Sequence, residues 1–249
     1  FCAELSLIVY GMVYQMVNLL KFNESFREIV DLDATRRIAI RLIEPNDKVL
    51  LQQGFDSLSD ESRQRRFMAE KRSLSQQELA YFTEVDQMDH FALGMVRLDE
   101  SGNETEGVAI GRFIRLAGDA ETAEVGLTVA DSMQGQGLGQ LLLERLVSAA
   151  LERGIKRFRF ECLAYNQVMK QLVLKVCKEA VFRYDEGIMI AEATLPASSW
   201  VPPVYNPLEL MDGLLRQMQS LYSGAFEYQS GVGLDLMRQG LDAPFRLRQ

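Results

Sequence analysis

The stretch from Thr122 to Gly139, TAEVGLTVADSMQGQGLG, constrains this chain more than any other part of its sequence. Its first half, Thr122 to Ala130, has the β-branched and apolar content of a buried strand. Its second half is a turn that holds Gly135, Gly137 and Gly139 and runs straight into an apolar, helix-periodic segment. A strand, a glycine turn and a helix N-terminus together make an anion site, because unpaired backbone N–H groups point outward and the helix dipole favours negative charge. Glycine serves there because a Cβ would block a phosphate and because such turns need positive φ. The stretch therefore predicts an α/β unit that binds a phosphorylated cofactor.

Two familiar phosphate loops are excluded. A P-loop would need Gly-Lys-Ser or Gly-Lys-Thr, and here Gly137 is followed by Leu138 and Gly139. The dinucleotide fingerprint GxGxxG would need a glycine where the chain has Gln140. What remains, Gln134-Gly135-Gln136-Gly137-Leu138-Gly139, fits Gln/Arg-x-x-Gly-x-Gly/Ala. That pattern, between an apolar strand and a long amphipathic helix, resembles the acyl-CoA pyrophosphate loop of the GNAT superfamily of CoA-dependent N-acyltransferases.

The order of elements from Arg36 to Thr194 is similar to that family. A strand at Ile38–Ile43 leads to helical segments near Pro45–Gly54, Ser59–Ala69 and Ser75–Thr83. Strands at Phe91–Leu98 and Gly107–Leu116 flank a hairpin turn at Asp99–Asn103. After the motif strand come a helix at Leu138–Glu152, a strand at Lys156–Leu163, a helix at Gln167–Lys178 and two strands near Val181–Tyr184 and Gly187–Ala193. The resemblance implies an α/β (α+β) fold, a mixed and mostly antiparallel central sheet flanked by helices. Its nearest form is the bacterial Pat-type protein-lysine acetyltransferase, which shares Ala123-Glu124-Val125, Ala130-Asp131 and Asn166-Gln167-Val168-Met169, with further likeness at Phe82–Asp86 and His90–Leu93.

Acyl transfer from a thioester to an amine needs the amine neutral, and a lysine with pKa ~10.4 is neutral in only about one molecule in 2,500 at pH 7. A general base supplies roughly 10²–10⁴-fold. By resemblance that base is Glu124, which is also a lone carboxylate in an otherwise apolar strand. Partial desolvation there would raise its pKa toward working pH, and the plainer alternative is a charge that reaches water or pairs with Arg112 or Arg157. The resemblance also implies that the N–H of Val129, with neighbouring Leu127, lies along the pantetheine and thioester of acetyl-CoA. The amides of Gln134, Gly135, Gln136, Gly137, Leu138 and Gly139 would hold its pyrophosphate, and Asn166 would hydrogen-bond the pantetheine arm. Asn166 alone reads equally as a helix N-cap.

One family feature is missing. The tyrosine that protonates the leaving thiolate would fall at Val173, and the Gly-Phe that usually ends that helix is replaced by Cys177-Lys178-Glu179. A thiol of pKa ~8.5 needs a proton only weakly, and the sequence does not choose among Tyr165, Cys162 and Tyr184 as donors. With one histidine, His90, no multi-histidine metal site can be built, and a structural role is the favoured reading. Cys2, Cys162 and Cys177 show no CxxC spacing, so neither zinc nor a disulfide framework is implied, in keeping with a reducing cytoplasm. Net charge −8 and pI about 4.9 argue against broad nucleic-acid binding. The basic cluster Arg63, Arg65, Arg66, Lys71 and Arg72 reads as a solvated helix face.

The ends fall outside the acyltransferase unit of residues 36–194. Residues 1–35 read as an apolar amphipathic helix and linker; Gln15 and Asn18 within the apolar run, and the lack of a basic n-region, argue against a membrane span or signal peptide. Residues 195–249 read as a linker with Pro196, Pro202, Pro203 and Pro207, an amphipathic helix to about Tyr222, and a tail. Two apolar terminal helices suggest a homodimer. The sequence thus supports an N-acetyltransferase acting by direct attack on a primary amine, a protein lysine or a small-molecule amine. The alternative is a non-catalytic acyl-CoA-binding sensor or scaffold.

Overall fold

A computed structural model describes residues 20–196. The central sheet has eight strands in the order β1-β2-β3-β4-β5-β6-β8-β7: β1 Arg27–Asp31, β2 Arg37–Leu42, β3 His90–Leu98, β4 Glu104–Leu116, β5 Asp119–Val129, β6 Arg157–Leu163, β7 Val181–Asp185 and β8 Ile188–Thr194. Every neighbouring pair is antiparallel except β5 and β6. A parallel pair needs a crossover, and helix α4, Leu138–Glu152, provides it.

Strand β1 falls within the stretch expected to be linker. It pairs along its whole length with β2, and the adjoining Phe22 and Phe26 are buried in the core beside Phe91. Its sequence REIVD is short, charged and half-exposed at the sheet edge, so apolar periodicity does not mark it. The hairpin expected between β3 and β4 is present, with Gly102 at φ 85° and the Asp99 side chain accepting from the Asn103 N–H at 2.8 Å.

The sheet separates two helical layers. On one face lie α4 and α5 (Gln167–Val176), over a core built from Leu142, Leu143, Leu146, Phe113, Phe158 and Phe160. The rings of Phe91 and Phe113 stack at 5.0 Å, and Phe113 meets Phe158 at 6.0 Å, which fastens β3, β4 and β6 into one layer. Gly111 allows the close approach of α4, since a Cβ there would lie 2.8 Å from Leu146 Cδ1. On the other face lie α1 (Lys48–Asp56), α2 (Asp60–Phe67) and α3 (Gln76–Thr83). Ser59 and Ser75 cap α2 and α3, the latter through a capping box with Glu78.

Among the described residues no helix is long and apolar enough to cross a membrane. The helices expected before residue 20 and after Pro207, and the dimer contacts assigned to them, lie outside the described residues.

Candidate active site

Strand β5 leaves its parallel neighbour halfway along. Pairing runs from Thr122 opposite Arg157 to Val125 opposite Phe160 and stops, while β5 continues to Val129 and β6 to Leu163. The Ala130 N–H donates to the Val108 carbonyl at 2.9 Å, so the alternation of the pleat turns the N–H groups of Leu127 and Val129 toward the gap. Neither has a strand partner there. Gln134 Nε2 donates to the Val129 carbonyl at 3.1 Å, which occupies that acceptor and ties the loop to the strand end.

The glycine loop stands at the mouth of this gap. Gly135 and Gly137 have φ 74° and 85°, in the left-handed region that side chains resist. The Gln134 N–H is used by the Asp131 carbonyl at 3.3 Å, whereas those of Gly135, Gln136, Gly137, Leu138 and Gly139 donate to no backbone carbonyl among the described residues. Gly137, Leu138 and Gly139 are among the orphan donors of the α4 N-terminus, where the dipole is positive, and Gly135 and Gln136 extend the run of open amides just ahead of it. A Cβ on Gly139 would touch Leu172, Val129 and Leu127, so this glycine borders the gap itself. The Leu138 side chain is buried and anchors the turn. Arg36 donates to the Gln136 side chain at 2.9 Å and adds a cation beside the loop that the sequence reading did not single out. Open amides, a positive helix end and a strand gap fit the pyrophosphate and pantetheine of an acyl-CoA.

Asn166 is buried at the N-terminus of α5, and its Oδ1 accepts from the Met169 N–H at 3.1 Å. The N-cap role is therefore filled, with Nδ2 left over on the side chain. Val173 is fully buried in the core, so the position expected for a proton-donating tyrosine carries no hydroxyl. Burial pushes the Cys162 thiol up to about 11, and Tyr184 lies on edge strand β7, accepting from Lys170 at 2.9 Å. Tyr165 and Tyr184 are both exposed, and Tyr165 sits just before Asn166.

Even-numbered residues of β5 project to the opposite face, toward α2 and α3. Glu124 is exposed there, without the desolvation expected of it, because helical cover begins two residues further along the strand. It pairs with neither Arg112 nor Arg157; Arg157 is held by Asp119 at 3.1 Å. On that face Arg159 stands opposite Glu124 in the register, its guanidinium paired with Glu161 at 2.5 Å, and two residues further along β5 the Arg66 guanidinium lies against Gly126, where a Cβ would meet Nη2 at 3.0 Å. Arg112, directly opposite Gly126 in the register, is 5% exposed. Desolvation lowers both guanidinium pKa values; the Glu124 charge opposes this at Arg66, and the Arg66 charge adds to it at Arg112.

Arg112 lies over the Phe82 ring at 4.3 Å and meets His90 Nε2 at 3.4 Å, and His90 lies 5.0 Å from the Tyr81 ring. The solvated-face reading of the basic cluster holds for exposed Arg72, but not for Arg65, which is half-buried and paired with Glu61, or for Arg66. The available signal was helical spacing: Ser62 and Arg66, four apart, share the face turned to the sheet. Arg112, alone in the apolar run GVAIGRFI, was the stronger clue.

Asp131 joins the two halves of the site. Its carboxylate accepts from the Ser59 N–H at 2.7 Å and from the Ser62 hydroxyl, while Gln134 Nε2 donates to it at 2.8 Å. The glycine loop is thereby fastened to the start of the helix that carries Arg66.

Residues 51–177 match the Acetyltransferase (GNAT) family. The chain is 32% identical over 178 residues to the acetyltransferase Pat of Mycolicibacterium smegmatis, an alignment covering 70% of this chain and 49% of that protein. An acetyltransferase of Pseudomonas aeruginosa is 27% identical over 144 residues, 58% of this chain and 76% of the relative. The crystal structure of the GNAT domain of S. lividans PAT superposes with a TM-score of 0.59 at 27% identity, over 68% of this chain and 97% of that one. The chain spans about half the length of the Pat protein that it matches. With its strand gap, its glycine loop and this half-chain match, the protein belongs to the GNAT family of acetyltransferases, acyl-CoA-dependent N-acyltransferases.

Proposed function

We propose that this chain transfers an acetyl group from acetyl-CoA to a primary amine by direct attack, with Glu124 as general base. The observation that carries the reading is the parting of β5 from β6 after Val125, with the glycine loop at its mouth. When bound there, acetyl-CoA supplies an activated thioester. The amides of Gly135 to Gly139 bind the pyrophosphate, and the Asn166 side-chain amide hydrogen-bonds the pantetheine arm. The N–H groups of Leu127 and Val129 face the gap and are positioned to stabilise negative charge on the acyl oxygen as it develops.

Glu124, on the far side of β5, takes the proton from the acceptor ammonium. Its exposure favours a relay through one water, a route open to a general base. The amine therefore enters from the face of α1–α3, opposite α4. The Pat-type resemblance points to a protein lysine as one acceptor class and leaves small amines as the other.

A sensor that binds acyl-CoA without turnover is the competing reading, favoured by the buried Val173 in place of a proton donor. A thiol-release assay with acetyl-CoA and a panel of lysine peptides and small amines separates the two. Acceptor-dependent CoA release supports the transferase. Acetyl-CoA binding without release on any acceptor supports the sensor, and failure to bind CoA overturns both.

A further inference from the structure

A cavity of about 90 Å³, open on one side to solvent, lies between helices α1–α3 and the sheet. Its wall is largely apolar, with Leu50, Phe55, Phe67, Phe82, Met95 and Ile110 among the lining residues. Four charged residues border it: Arg41, Asp47, Arg66 and Arg112. Arg41 and Asp47 satisfy each other at 2.7 Å, with Glu104 on the same guanidinium. Arg66 and Arg112 have no such partner.

Among the described residues, Arg66 makes no hydrogen bond and no ion pair, and the one hydrogen-bond contact of Arg112 is with a neutral imidazole. The two stand together: Arg66 rests on Gly126, and Arg112 projects from the residue opposite Gly126, on the same face. Arg112 is almost wholly withdrawn from water and Arg66 is half-buried, and guanidinium groups so placed without a carboxylate are unfavourable unless a ligand supplies the anion. A planar carboxylate is the matching ligand, since it accepts two parallel N–H bonds from one guanidinium.

Along β5 the order is then fixed. Glu124 precedes Gly126 with its Arg66 and Arg112, and Thr128, beyond them, lines the apolar cavity. A negative group, a pair of positive groups and an apolar chamber follow one another on one face. We infer that the acceptor is an α-amino acid with an apolar side chain, its ammonium at Glu124, its carboxylate on Arg66 and Arg112, and its side chain in the cavity. The inference rests on the acyltransferase reading above and names the acceptor of that same site. In the reaction, the ammonium gives one proton to Glu124 through the bridging water, and the nitrogen forms the amide C–N bond as the thioester C–S bond breaks. The second nitrogen proton leaves with the product thiol, so the products are N-acetyl amino acid, CoA thiol and one proton.

The test measures CoA release from acetyl-CoA with phenylalanine, leucine and methionine, with the corresponding amino-acid amides, and with lysine peptides. Free amino acids are expected to exceed their amides in kcat/KM by about tenfold or more, as a lost charge-assisted bond would give. Arg66→Gln is expected to raise the KM for the amino acid by a similar factor without raising the KM for acetyl-CoA, and Arg66→Lys to restore part of the loss. Arg112→Gln should act in the same direction, and Arg66→Gln keeps the test available should the buried Arg112 variant fail to fold. Equal rates on acids and amides, or turnover on lysine peptides alone, would overturn the inference and leave the acyltransferase standing. An Arg66-dependent preference for succinyl-CoA over acetyl-CoA would also overturn it, by placing the carboxylate on the donor. No turnover with any amine would instead remove the reading on which it rests.

Discussion

Glu124 and Arg66 show how much one residue's surroundings add to its identity. The sequence marks Glu124 as a lone carboxylate in an apolar strand, but its exposure depends on where α2 begins to cover β5, and strand periodicity carries no record of that. Arg66 was hidden among four other basic residues, and only its seat on Gly126 separates it from them. His90 titrates in step with this cluster. Burial, and after it the Arg112 charge, pushes its pKa down to about 4, from about 6.5 in an unfolded chain. The folded state thus holds His90 neutral, and the unfolded state binds the proton first as pH falls. The His90 contribution to stability is lost between about pH 6.5 and pH 4 and is level outside that window. Thermal melts at pH 7 and pH 5 should show a larger fall in Tm for the wild type than for His90→Asn; equal falls would count against this account of His90. At Gly137, φ 85° with open space around a Cβ makes the demand purely one of backbone conformation. Gly137→Ala should therefore lose about 1–2 kcal/mol in urea unfolding and bind acetyl-CoA more weakly by calorimetry.

At the scale of elements, the decisive event is the parting of β5 and β6. The strand, the glycine turn and helix α4 were legible in the sequence because each has its own periodicity or turn chemistry, and the observed α4 keeps the expected ends at Leu138 and Glu152. The gap itself was not legible, since hydrogen bonds that are not made leave no pattern in side chains. Strand β1 escaped for a related reason: an edge strand with charged, exposed positions looks like a linker. The clamp at Asp131 was likewise invisible, because it joins a loop to a helix about 70 residues earlier in the chain. Tight contact between β4 and α4 yields a third expectation. A methyl group on Gly111 would lie 2.8 Å from Leu146 Cδ1 and 3.0 Å from Leu142 Cγ. Gly111→Ala should thus destabilise by about 1–3 kcal/mol through overpacking, read by urea unfolding. A variant as stable as wild type would mean that α4 shifts freely on the sheet.

In the domain as a whole, the sheet works as a partition. The glycine loop and the N-terminus of α4 offer a phosphate site at one end of the gap, while across β5 lie exposed Glu124 and, beyond it under α1–α3, Arg66, Arg112 and the apolar cavity. Glu124 is the carboxylate of β5 on that far face, which is why it is assigned the proton of an amine arriving there. The most direct test compares wild type with Glu124→Gln for CoA release under saturating acetyl-CoA and the best acceptor of the panel, beside acetyl-CoA affinity by calorimetry. A fall in kcat/KM of at least about tenfold is expected, within the range of a missing general base, with acetyl-CoA affinity unchanged. Turnover in Glu124→Gln equal to wild type would contradict that assignment.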